Sequence, residues 1–383
     1  MRMGGCGCGD CGGGGGGGGV KAVVLAGGEG TRLRPLTRHM PKPMVPVGRR
    51  ACIDYAMASL VRAGIRDIIV TTAYMPDAVI QGLDRGALGG ARVSFSIEHE
   101  PLGTAGAVKK NEGELDGTFV VISGDVLADV DLAALVGFHR AHGGPVTMAL
   151  TTTPTPMEYG IVGLDGHDRI VRFKEKPRAD EVFSDLINAG IYVLEPEVLG
   201  SVPPDTKFDF SKDLFPALLR SGHGLFGCRL AGLWMDIGRP ADLIAANRAV
   251  VGREGAEAVL PGVEVKGPVI VEEGAVVEEG ASIEGPAMLL ATSRVAAGAA
   301  IVRSFIHPGV SVGGGASLED SLLLRGARVD DDAILLRSIL DEGCAVGRGA
   351  RLAESVLGRG ASVAAGARLH DARVEGGTVV ARP

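Results

Sequence analysis

The sequence contains no apolar run of the roughly 18 to 20 residues that a membrane-spanning helix needs, and its start lacks the charged, apolar and cleavable regions of a signal peptide. It also lacks a cluster of Lys and Arg, and its formal net charge is -7. A chain with this charge pattern has no electrostatic footprint for nucleic acids or anionic membranes. We therefore expect a cytoplasmic protein without nucleic-acid or membrane partners, in which any bound phosphate is held by local groups.

The cysteines lack the regular spacing of a disulfide framework. Three of the six lie in the glycine-rich head, at Cys6, Cys8 and Cys11, and the others are far apart in the sequence. Reduced thiols are therefore expected. Residues 1–19 are predicted to form a disordered leader, because a glycine tract cannot bury enough apolar surface to offset its backbone entropy. A metal site there is the alternative, although three thiols without a nearby His do not complete a tetrahedral set.

A chain of 383 residues is long enough for two folded units, each with its own core. Between residues 20 and 254, apolar runs that indicate buried strands alternate with segments of helical spacing. The predicted strands are 20–26, 65–71, 119–123 and 146–152, and the predicted helices are 51–63 and 131–142. This alternation predicts an α/β domain built on a doubly wound, mostly parallel, Rossmann-like sheet.

Residues 255–383 have a different period, because aliphatic residues recur at every sixth position. The first run is Val265, Val271, Val277, Ile283, Leu289, Val295 and Ile301. The phase slips near His307 and resumes at Val312, Leu318 and Leu324, at Leu340, Val346 and Leu352, and at Val363 and Leu369. A six-residue period matches one flat side of a left-handed parallel β-helix, in which each coil buries its aliphatic residue by stacking on the next. We interpret the slips as short loops between coils, and we expect the flat faces to mediate homo-oligomer formation.

A glycine-rich turn follows the first predicted strand, with the sequence L-A-G-G-E-G-T-R-L-R-P-L-T. In a doubly wound sheet this places Gly27, Gly28 and Gly30 at the carboxyl edge, where ligands bind. Their backbone N–H groups can face phosphate oxygens, and Arg32 adds a fork of donors. The pattern is neither the Walker A motif nor the dinucleotide-binding fingerprint. Further on, P-K-P-M-V-P stiffens the chain around Lys42.

Together these two segments resemble the signature of the sugar-1-phosphate nucleotidyltransferase family, and the ending M-V-P-V is similar to its branch of mannose-1-phosphate guanylyltransferases. Further family motifs follow in order: E-H-E-P-L-G-T-A-G at 98–106, S-G-D at 123–125, E-Y-G at 158–160, E-K-P at 175–177, N-A-G at 188–190, D-F-S-K-D-L-F at 209–215 and W-M-D-I-G at 234–238. The resemblance covers about residues 20–250, and a hexapeptide tail is usual for this branch. Val126 departs from the Asn that thymidylyl- and uridylyl-transferring relatives often carry, and residues 48–54 lack the usual lysine-proline.

The resemblance implies an enzyme that joins an NTP and a sugar 1-phosphate, with a sugar-phosphate oxygen attacking the α-phosphorus in line and pyrophosphate leaving. Positioning, protein cations and Mg²⁺ then carry the chemistry. Catalytic roles are implied for Arg32, Lys42 and Lys176, and Mg²⁺ ligation for Asp125 and Asp236. The implied nucleotide contacts are Leu25, Ala26, Gly27, Gly28, Gly30, Thr31, Glu98, Gly103, Thr104 and Gly124, and the implied sugar contacts are Gly160, Glu175 and Asn188.

Glu98 falls where family relatives place the side chain that faces the base edge. An ionised carboxylate only accepts hydrogen bonds, so guanine suits it with adjacent N1–H and N2–H donors, whereas uracil and thymine offer one N–H between two carbonyls. This favours GTP with mannose 1-phosphate, giving GDP-mannose. Two alternatives stay open: a glucose-1-phosphate thymidylyl-, uridylyl- or adenylyltransferase, and a non-catalytic regulatory homologue that binds nucleotide sugar.

Three other conspicuous side chains are predicted to be structural. Trp234 is the only tryptophan and lies beside a tight D-I-G turn, so we expect it to pack. His39 and His307 have no paired carboxylate nearby in the sequence, and neither enters the predicted mechanism.

Overall fold

The computed structural model of the protein describes residues 19–84 and 89–382. The leader predicted for residues 1–19 therefore lies outside the described residues, apart from Gly19. Within the described ranges, no helix is both long and apolar enough to cross a membrane. Cys52, Cys228 and Cys344 are free thiols.

The first part of the described chain alternates strands and helices. Its strands are β1 (Lys21–Leu25), β2 (Pro46–Val47), β3 (Arg50–Ala51), β4 (Asp67–Thr72), β5 (Arg92–Ile97), β6 (Phe119–Ser123), β7 (Val126–Val130), β8 (Val146–Thr152), β9 (Gly160–Leu164), β10 (Ile170–Glu175), β11 (Leu186–Leu194), β12 (Leu225–Arg229) and β13 (Gly232–Asp236). Its helices are α1 (Cys52–Arg62), α2 (Pro76–Asp84), α3 (Gly103–Lys109), α4 (Leu132–His142), α5 (Phe215–Arg220) and α6 (Pro240–Glu254).

A nine-stranded mixed sheet forms the centre of this domain, with β10-β9-β11-β6-β1-β4-β5 as its main path; β8 pairs with β11 beside this path, and β12 pairs with β8. Strands β6, β1, β4 and β5 are parallel, whereas β11 runs antiparallel to β6. Alternate residues of β1 belong to two separate hydrophobic cores, one on each face of the sheet. Val24 packs with Ile53 of α1 on one face, and Val23 packs with Val108 of α3 on the other. This confirms the doubly wound prediction, and it places the carboxyl ends of β1, β4 and β6 side by side.

A two-stranded antiparallel ribbon, β7 with β13, stands beside the main sheet. Its register pairs Asp236 with Val126, the residue that follows Asp125. The ribbon therefore brings together two aspartates that are more than one hundred residues apart in the sequence. The indole Nε1 of Trp234, in the same ribbon, donates to the Ala189 carbonyl at 2.8 Å and the ring packs on the sheet core, as expected for a structural residue.

The second part of the chain is a stack of parallel coils with three sheets of seven strands each, as expected for a left-handed parallel β-helix. The first sheet consists of β14 (Glu264–Lys266), β17 (Ser282–Glu284), β20 (Ala300–Val302), β23 (Ser317–Glu319), β26 (Ile334–Leu336), β29 (Arg351–Ala353) and β32 (Arg368–His370). The second consists of β15 (Val269–Val271), β18 (Ala287–Leu289), β21 (Phe305–Ile306), β24 (Leu322–Leu323), β27 (Ile339–Leu340), β30 (Val356–Leu357) and β33 (Arg373–Val374). The third consists of β16 (Val276–Val277), β19 (Arg294–Val295), β22 (Ser311–Val312), β25 (Arg328–Val329), β28 (Ala345–Val346), β31 (Ser362–Val363) and β34 (Val379–Val380).

The phase slips in the repeat have a different cause from the predicted loops between coils. Ser282 pairs with Ala300, eighteen residues later, but Ala300 pairs with Ser317, only seventeen residues later. Each later coil is thus one residue shorter, and its aliphatic stack continues without an inserted loop. The inward residue after Leu318 is accordingly Leu323 and not Leu324. The expectation of loops was therefore wrong. In a shortened coil, one of the six-residue steps between inward aliphatic residues has five residues, and this shifts the phase of the repeat just as an inserted loop would.

The β-helix packs one of its faces against the sheet domain. Outward residues of its second sheet, among them Phe305, Leu322 and Ile339, share a buried cluster with Leu33 and Ile244 of the sheet domain. Leu324 belongs to this cluster too, which explains why it is aliphatic without facing the coil axis. Helix α6 lies directly on β15 and β18. The interface thus reaches the segment that follows the glycine-rich turn.

Candidate active site

Lys42 lies between the two predicted metal ligands. Its Nζ is 3.0 Å from Asp125 Oδ2 and 3.0 Å from Asp236 Oδ1. The residue is 5% exposed. Burial alone lowers the pKa of this lysine, but the charges of and hydrogen bonds to the two carboxylates outweigh burial and hold the pKa above its usual range. Lys42 is therefore a fixed positive charge at neutral pH.

Arg32 supplies a second cation at the same point. Its guanidinium lies 3.5 Å from Asp236 Oδ2 and 3.9 Å from Glu158 Oε2. Its side chain is 54% exposed, so the charge remains accessible to a ligand. Arg239 holds the other oxygen of Glu158 at 3.1 Å. Two carboxylates thus orient Arg32 from the protein side.

The glycine-rich turn closes over Lys42. Gly30 has a φ of 62°, and a Cβ placed there would lie 2.9 Å from Cβ of Lys42 and 3.1 Å from Cγ2 of Thr37. Only glycine allows both this conformation and this approach. The Thr37 hydroxyl donates to the Gly30 carbonyl at 2.8 Å. At Gly28 an added Cβ would be 4.0 Å from Asp125 Oδ2, so the turn, the lysine and the aspartates form one group.

A cavity of about 240 Å³ opens beside this group at the carboxyl ends of the central strands. It is lined by Leu25, Gly27, Gly28, Thr71, Ala73, Glu98, Pro101, Gly103, Thr104, Ala107, Ser123, Asp125 and Asp209. Six of the ten predicted nucleotide contacts are in this set. The other four, Ala26, Gly30, Thr31 and Gly124, are outside it, and Ala26 is fully buried.

Glu98 lines the cavity beside the glycine turn. The residue is 6% exposed, and its Oε2 accepts a hydrogen bond from the Leu102 N–H at 2.9 Å. Its Oε1 would be 3.6 Å from a Cβ at Gly27, so this oxygen faces the turn. Burial raises the pKa of Glu98, while the Leu102 N–H opposes the shift. The carboxylate therefore has one oxygen held by the protein and one directed at the cavity.

Gly103 and Thr104, in the cavity lining, contact residues 208–210, which are remote in the sequence. Gly103 has a φ of 72°, and a Cβ there would lie 2.6 Å from the Phe208 carbonyl oxygen. The Thr104 hydroxyl donates to Asp209 Oδ2 at 3.1 Å and accepts from the Phe210 N–H at 3.0 Å. Asp209 is thereby placed in the wall, a site position that sequence analysis missed although the motif at 209–215 contained it. Thr71 and Ser123 were missed too, and the signal for them was their position at the ends of β4 and β6.

The predicted sugar contacts lie together on and beside the β9–β10 hairpin. Gly160 pairs with Glu175, and a Cβ at Gly160 would lie 2.8 Å from Glu175 Oε2, so glycine makes room for the carboxylate. Burial raises the pKa of Glu175, and the charge of Lys176 opposes this. Lys176 itself has a φ of 44° and donates its N–H to the Tyr159 carbonyl at 2.9 Å. These residues are outside the set that lines the 240 Å³ cavity.

Asn188 is already engaged by the protein. Its Nδ2 donates to Tyr192 OH at 2.9 Å and to Ser211 Oγ at 3.0 Å, and its Oδ1 accepts from the Gly190 N–H at 2.9 Å. Both amide hydrogens are thus used. One lone pair of Oδ1 is left for a ligand.

A larger cavity of about 730 Å³ lies at the junction of α6 and the β-helix, and it shares Arg32 with the site just described. Arg248 of α6 forms an ion pair across the junction with Asp320, and Arg337 pairs with Glu354 within the β-helix. Gly27 and Gly28 of the turn and Asp125 line the smaller cavity instead. The chemical groups therefore identify the smaller cavity as the candidate active site.

Comparisons with known proteins agree with this geometry. The family described as nucleotidyl transferase matches residues 21–252, and the family described as GMPPB C-terminal domain matches residues 283–380. A UTP–glucose-1-phosphate uridylyltransferase of Synechocystis is 32% identical, over 79% of this chain and 87% of its own length. A mannose-1-phosphate guanylyltransferase of Mycobacterium tuberculosis is 34% identical, over 78% of this chain and 83% of its own.

A solved structure is similar as well. It is described as a putative glucose-1-phosphate thymidylyltransferase from Bacillus anthracis in complex with a sucrose, and it superposes with a TM-score of 0.55 and 26% identity. The match covers 63% of this chain and 98% of that chain. Because the family match spans more than half of the chain, including the turn, both aspartates and the cavity, the protein belongs to the nucleotidyl transferase family.

Proposed function

We propose that the protein transfers GMP from GTP to mannose 1-phosphate, giving GDP-mannose and pyrophosphate. The observation that carries this proposal is the meeting of Lys42, Arg32, Asp125 and Asp236 beside a cavity that Glu98 lines. The cations and carboxylates suit a chain of phosphates, and the acceptor oxygens of Glu98 suit a base. The mannose-1-phosphate guanylyltransferase named among the relatives supports the choice of substrates.

The protein residues act by charge and position. A sugar phosphate oxygen is largely ionised at neutral pH, because the second pKa of a phosphate ester is near 6, so its attack needs no general base. Lys42 and Arg32 stabilise the negative charge of the triphosphate as pyrophosphate leaves, and the turn N–H groups orient it. Lys176, exposed on the sugar side, binds the phosphate of the attacking sugar.

Asp125 and Asp236 would hold Mg²⁺ in this site. Their oxygens already converge on one cation, the Lys42 ammonium, and carboxylate oxygens are the ligands that this ion prefers. Among the described residues there is no cluster of three or more His, Cys, Asp or Glu side chains that could hold a metal. Two carboxylates with phosphate and water oxygens match the usual Mg²⁺ shell. When bound, the ion neutralises phosphate charge.

Glu98 selects the base in this proposal. Its free oxygen and the remaining lone pair of Oε2 can accept the N1–H and N2–H of guanine, whereas the carbonyls of uracil and thymine would be repelled. The sugar contacts the Glu175 carboxylate, which fills the room that Gly160 leaves, and Asn188 contributes the last lone pair of its Oδ1. The remaining predicted nucleotide contacts, Ala26, Gly30 and Thr31 in the turn and Gly124 after β6, hold the backbone that faces the nucleotide.

A matrix of GTP, UTP, dTTP and ATP against mannose 1-phosphate and glucose 1-phosphate, read by Mg²⁺-dependent pyrophosphate release, tests the proposal. We expect the highest kcat/KM for GTP with mannose 1-phosphate. The second candidate, uridylyl transfer to glucose 1-phosphate, is favoured by the Synechocystis relative and would appear as turnover with UTP but not GTP. No turnover with any pair would identify a regulatory homologue that only binds nucleotide sugar.

The variant Glu98→Gln tests the base assignment. The amide replaces one acceptor with a donor, so KM for GTP should rise about 10- to 100-fold, the range expected for a hydrogen bond to a charged group. Because burial raises the pKa of Glu98, wild-type GTP binding should weaken on acidification at a higher pH than an exposed carboxylate would dictate. The variant should lack that dependence. Glu100→Gln, an exposed neighbour, is the matched control.

We further propose that the protein acts in the cytoplasm as a homo-oligomer, assembled through the outer faces of the first and third β-helix sheets. The second sheet is already packed on the sheet domain. Light scattering after gel filtration tests this assembly, and a monomer at assay concentration would refute it.

A further inference from the structure

The segment that carries both catalytic cations lies between the two domains. Residues 31–44 follow the glycine turn and include Arg32 and Lys42. Leu33 and Leu36 in this segment are buried in the same cluster as Phe305 and Ile339 of the β-helix. The β-helix therefore packs against one side of the segment that carries the two cations.

A polar contact between buried atoms crosses this interface. Asp341, which directly follows β27, has a fully buried side chain, and its Oδ2 lies 3.4 Å from Nε2 of His39. Oδ1 of Asp341 accepts the Glu342 N–H at 2.7 Å. Both facing atoms are buried and lack a hydrogen bond to any residue that the structure describes. A buried carboxylate oxygen that faces one imidazole is costly unless the two stay together.

The coil itself does not require an aspartate at this position. The equivalent positions one coil before and after are Leu324 and Gly358, because Leu323, Leu340 and Leu357 are aligned across the sheet. Burial raises the pKa of Asp341, and the Glu342 N–H and then His39 oppose the shift. Asp341 thus differs from the leucine and the glycine of the adjacent coils where it meets His39.

Two weaker contacts flank the pair. A Cβ on Gly358 would lie 3.0 Å from Cβ of Pro35, so the coil leaves room for that proline. Arg38 and Glu375 form an ion pair at 3.1 Å, with both side chains more than half exposed. Exposed pairs contribute little. The buried pair of His39 and Asp341 is therefore the specific connection between residues 31–44 and the coils.

We propose that Asp341, acting through His39, is a positioning residue of the reaction: it fixes residues 31–42 so that Arg32 and Lys42 stand at the aspartates. The β-helix then contributes to catalysis as well as to stability. The inference rests on the proposed roles of the two cations. It extends the sequence interpretation, which found no carboxylate near His39.

The test compares Asp341→Asn, His39→Gln and the double variant, with Glu375→Gln as the matched control at the same interface. Hydrogen exchange of the amides in residues 31–44, measured without substrate, should accelerate at least about tenfold in the first three variants while the coils exchange as in wild type. In the substrate assay, kcat should fall about 10- to 100-fold with a smaller change in KM. The double variant should be no worse than either single one.

Unchanged exchange in residues 31–44 would overturn the inference, and so would faster exchange across all the coils, which indicates a purely structural aspartate. Additive losses in the double variant would also contradict it. If Asp341→Asn does not fold, His39→Gln tests the same contact by a substitution in the sheet domain. The exchange measurement needs no turnover, so it tests the inference even if no pair of NTP and sugar phosphate reacts. The absence of turnover would count against the proposed function alone.

Discussion

The two domains use charged residues in opposite ways. In the sheet domain, Lys42, Asp125 and Asp236 come from distant parts of the chain and meet in a largely buried group. In the β-helix, charged side chains such as Arg337 and Glu354 stand at corners with positive φ and pair along the stack, while the interior is aliphatic. The first arrangement is a single cluster of residues from distant segments, and the second recurs from coil to coil. Substitutions in the buried charged group should therefore affect chemistry, and substitutions of the stacked coil residues should affect stability.

The largest effect is expected from Asp125→Asn. Loss of one carboxylate removes half of the proposed metal ligation and one of the two partners of Lys42. We expect kcat/KM to fall at least about 1000-fold, or about 4 kcal/mol, with the fold retained. Steady-state pyrophosphate release measures this. The matched control is Asp129→Asn, four residues later, where the side chain is 40% exposed. If Asp125→Asn retained near-wild-type activity, the proposed distinction between the two domains would be lost.

In the β-helix, Leu335→Ala should affect stability and leave chemistry nearly unchanged. Leu335 is fully buried and stacked between Leu318 and Leu352. Its truncation should lower the free energy of unfolding by about 2 to 5 kcal/mol. Urea unfolding followed by far-ultraviolet circular dichroism measures this loss. The neighbouring Ile334 is 39% exposed, so Ile334→Ala should cost much less, and equal costs would contradict the assignment of inward and outward positions.

A pH effect is expected from His307, which is buried without a hydrogen bond from its Nε2 to any described residue. Burial, and then the charge of Arg325, lower the pKa of His307 from 6.5 to about 4. The unfolded chain thus binds more protons between these values, and wild-type stability should fall as the pH drops from about 6.5 to 4. At pH 5 this loss amounts to roughly 2 kcal/mol.

His307→Leu should remove that dependence, and the coils accept leucine because the equivalent residues in the neighbouring coils are Leu290 and Leu324. Thermal unfolding of both proteins between pH 4 and 7 is the measurement. If the two curves run parallel over this range, the titrating group lies elsewhere.

The smallest effect is expected from Glu354→Gln, which removes one link of the corner ladder. Arg337 and Glu354 are about half exposed, so their pair should contribute less than about 1 kcal/mol and should weaken further in salt. Urea unfolding at low and high ionic strength checks this. A loss above about 2 kcal/mol would mean that the ladder, and not the aliphatic interior, stabilises the coils.

Much of the fold could be predicted from local pattern. The strands at 119–123 and 146–152 have the predicted bounds, and the helix predicted at 51–63 runs from Cys52 to Arg62, because strand and helix periods are local. The repeat predicted the coils, but not their shortening, since Leu323 and Leu324 are both aliphatic and the sequence does not reveal which one faces inward. The antiparallel ribbon that carries Asp236 was not predicted, because strand pairing depends on distant residues.

The candidate site divides in the same way. Its residue types could be read from the motifs, including the turn, Lys42 and the two aspartates. Their contacts could not, since Lys42 meets Asp236 only through the register of β7 with β13. Asp209 and the His39–Asp341 pair depend on chain segments that are remote in sequence and adjacent only after folding.

By itself, the sequence determined the two kinds of domain, the glycine turn and the chemical groups, because hydrophobic period and backbone preference act over a few residues. Only the tertiary structure decided which carboxylates share a cation, which face of the β-helix is buried and which aspartate faces His39. Those outcomes depend on strand register and on packing between domains, where a shift of one residue would move each charged group to a different partner.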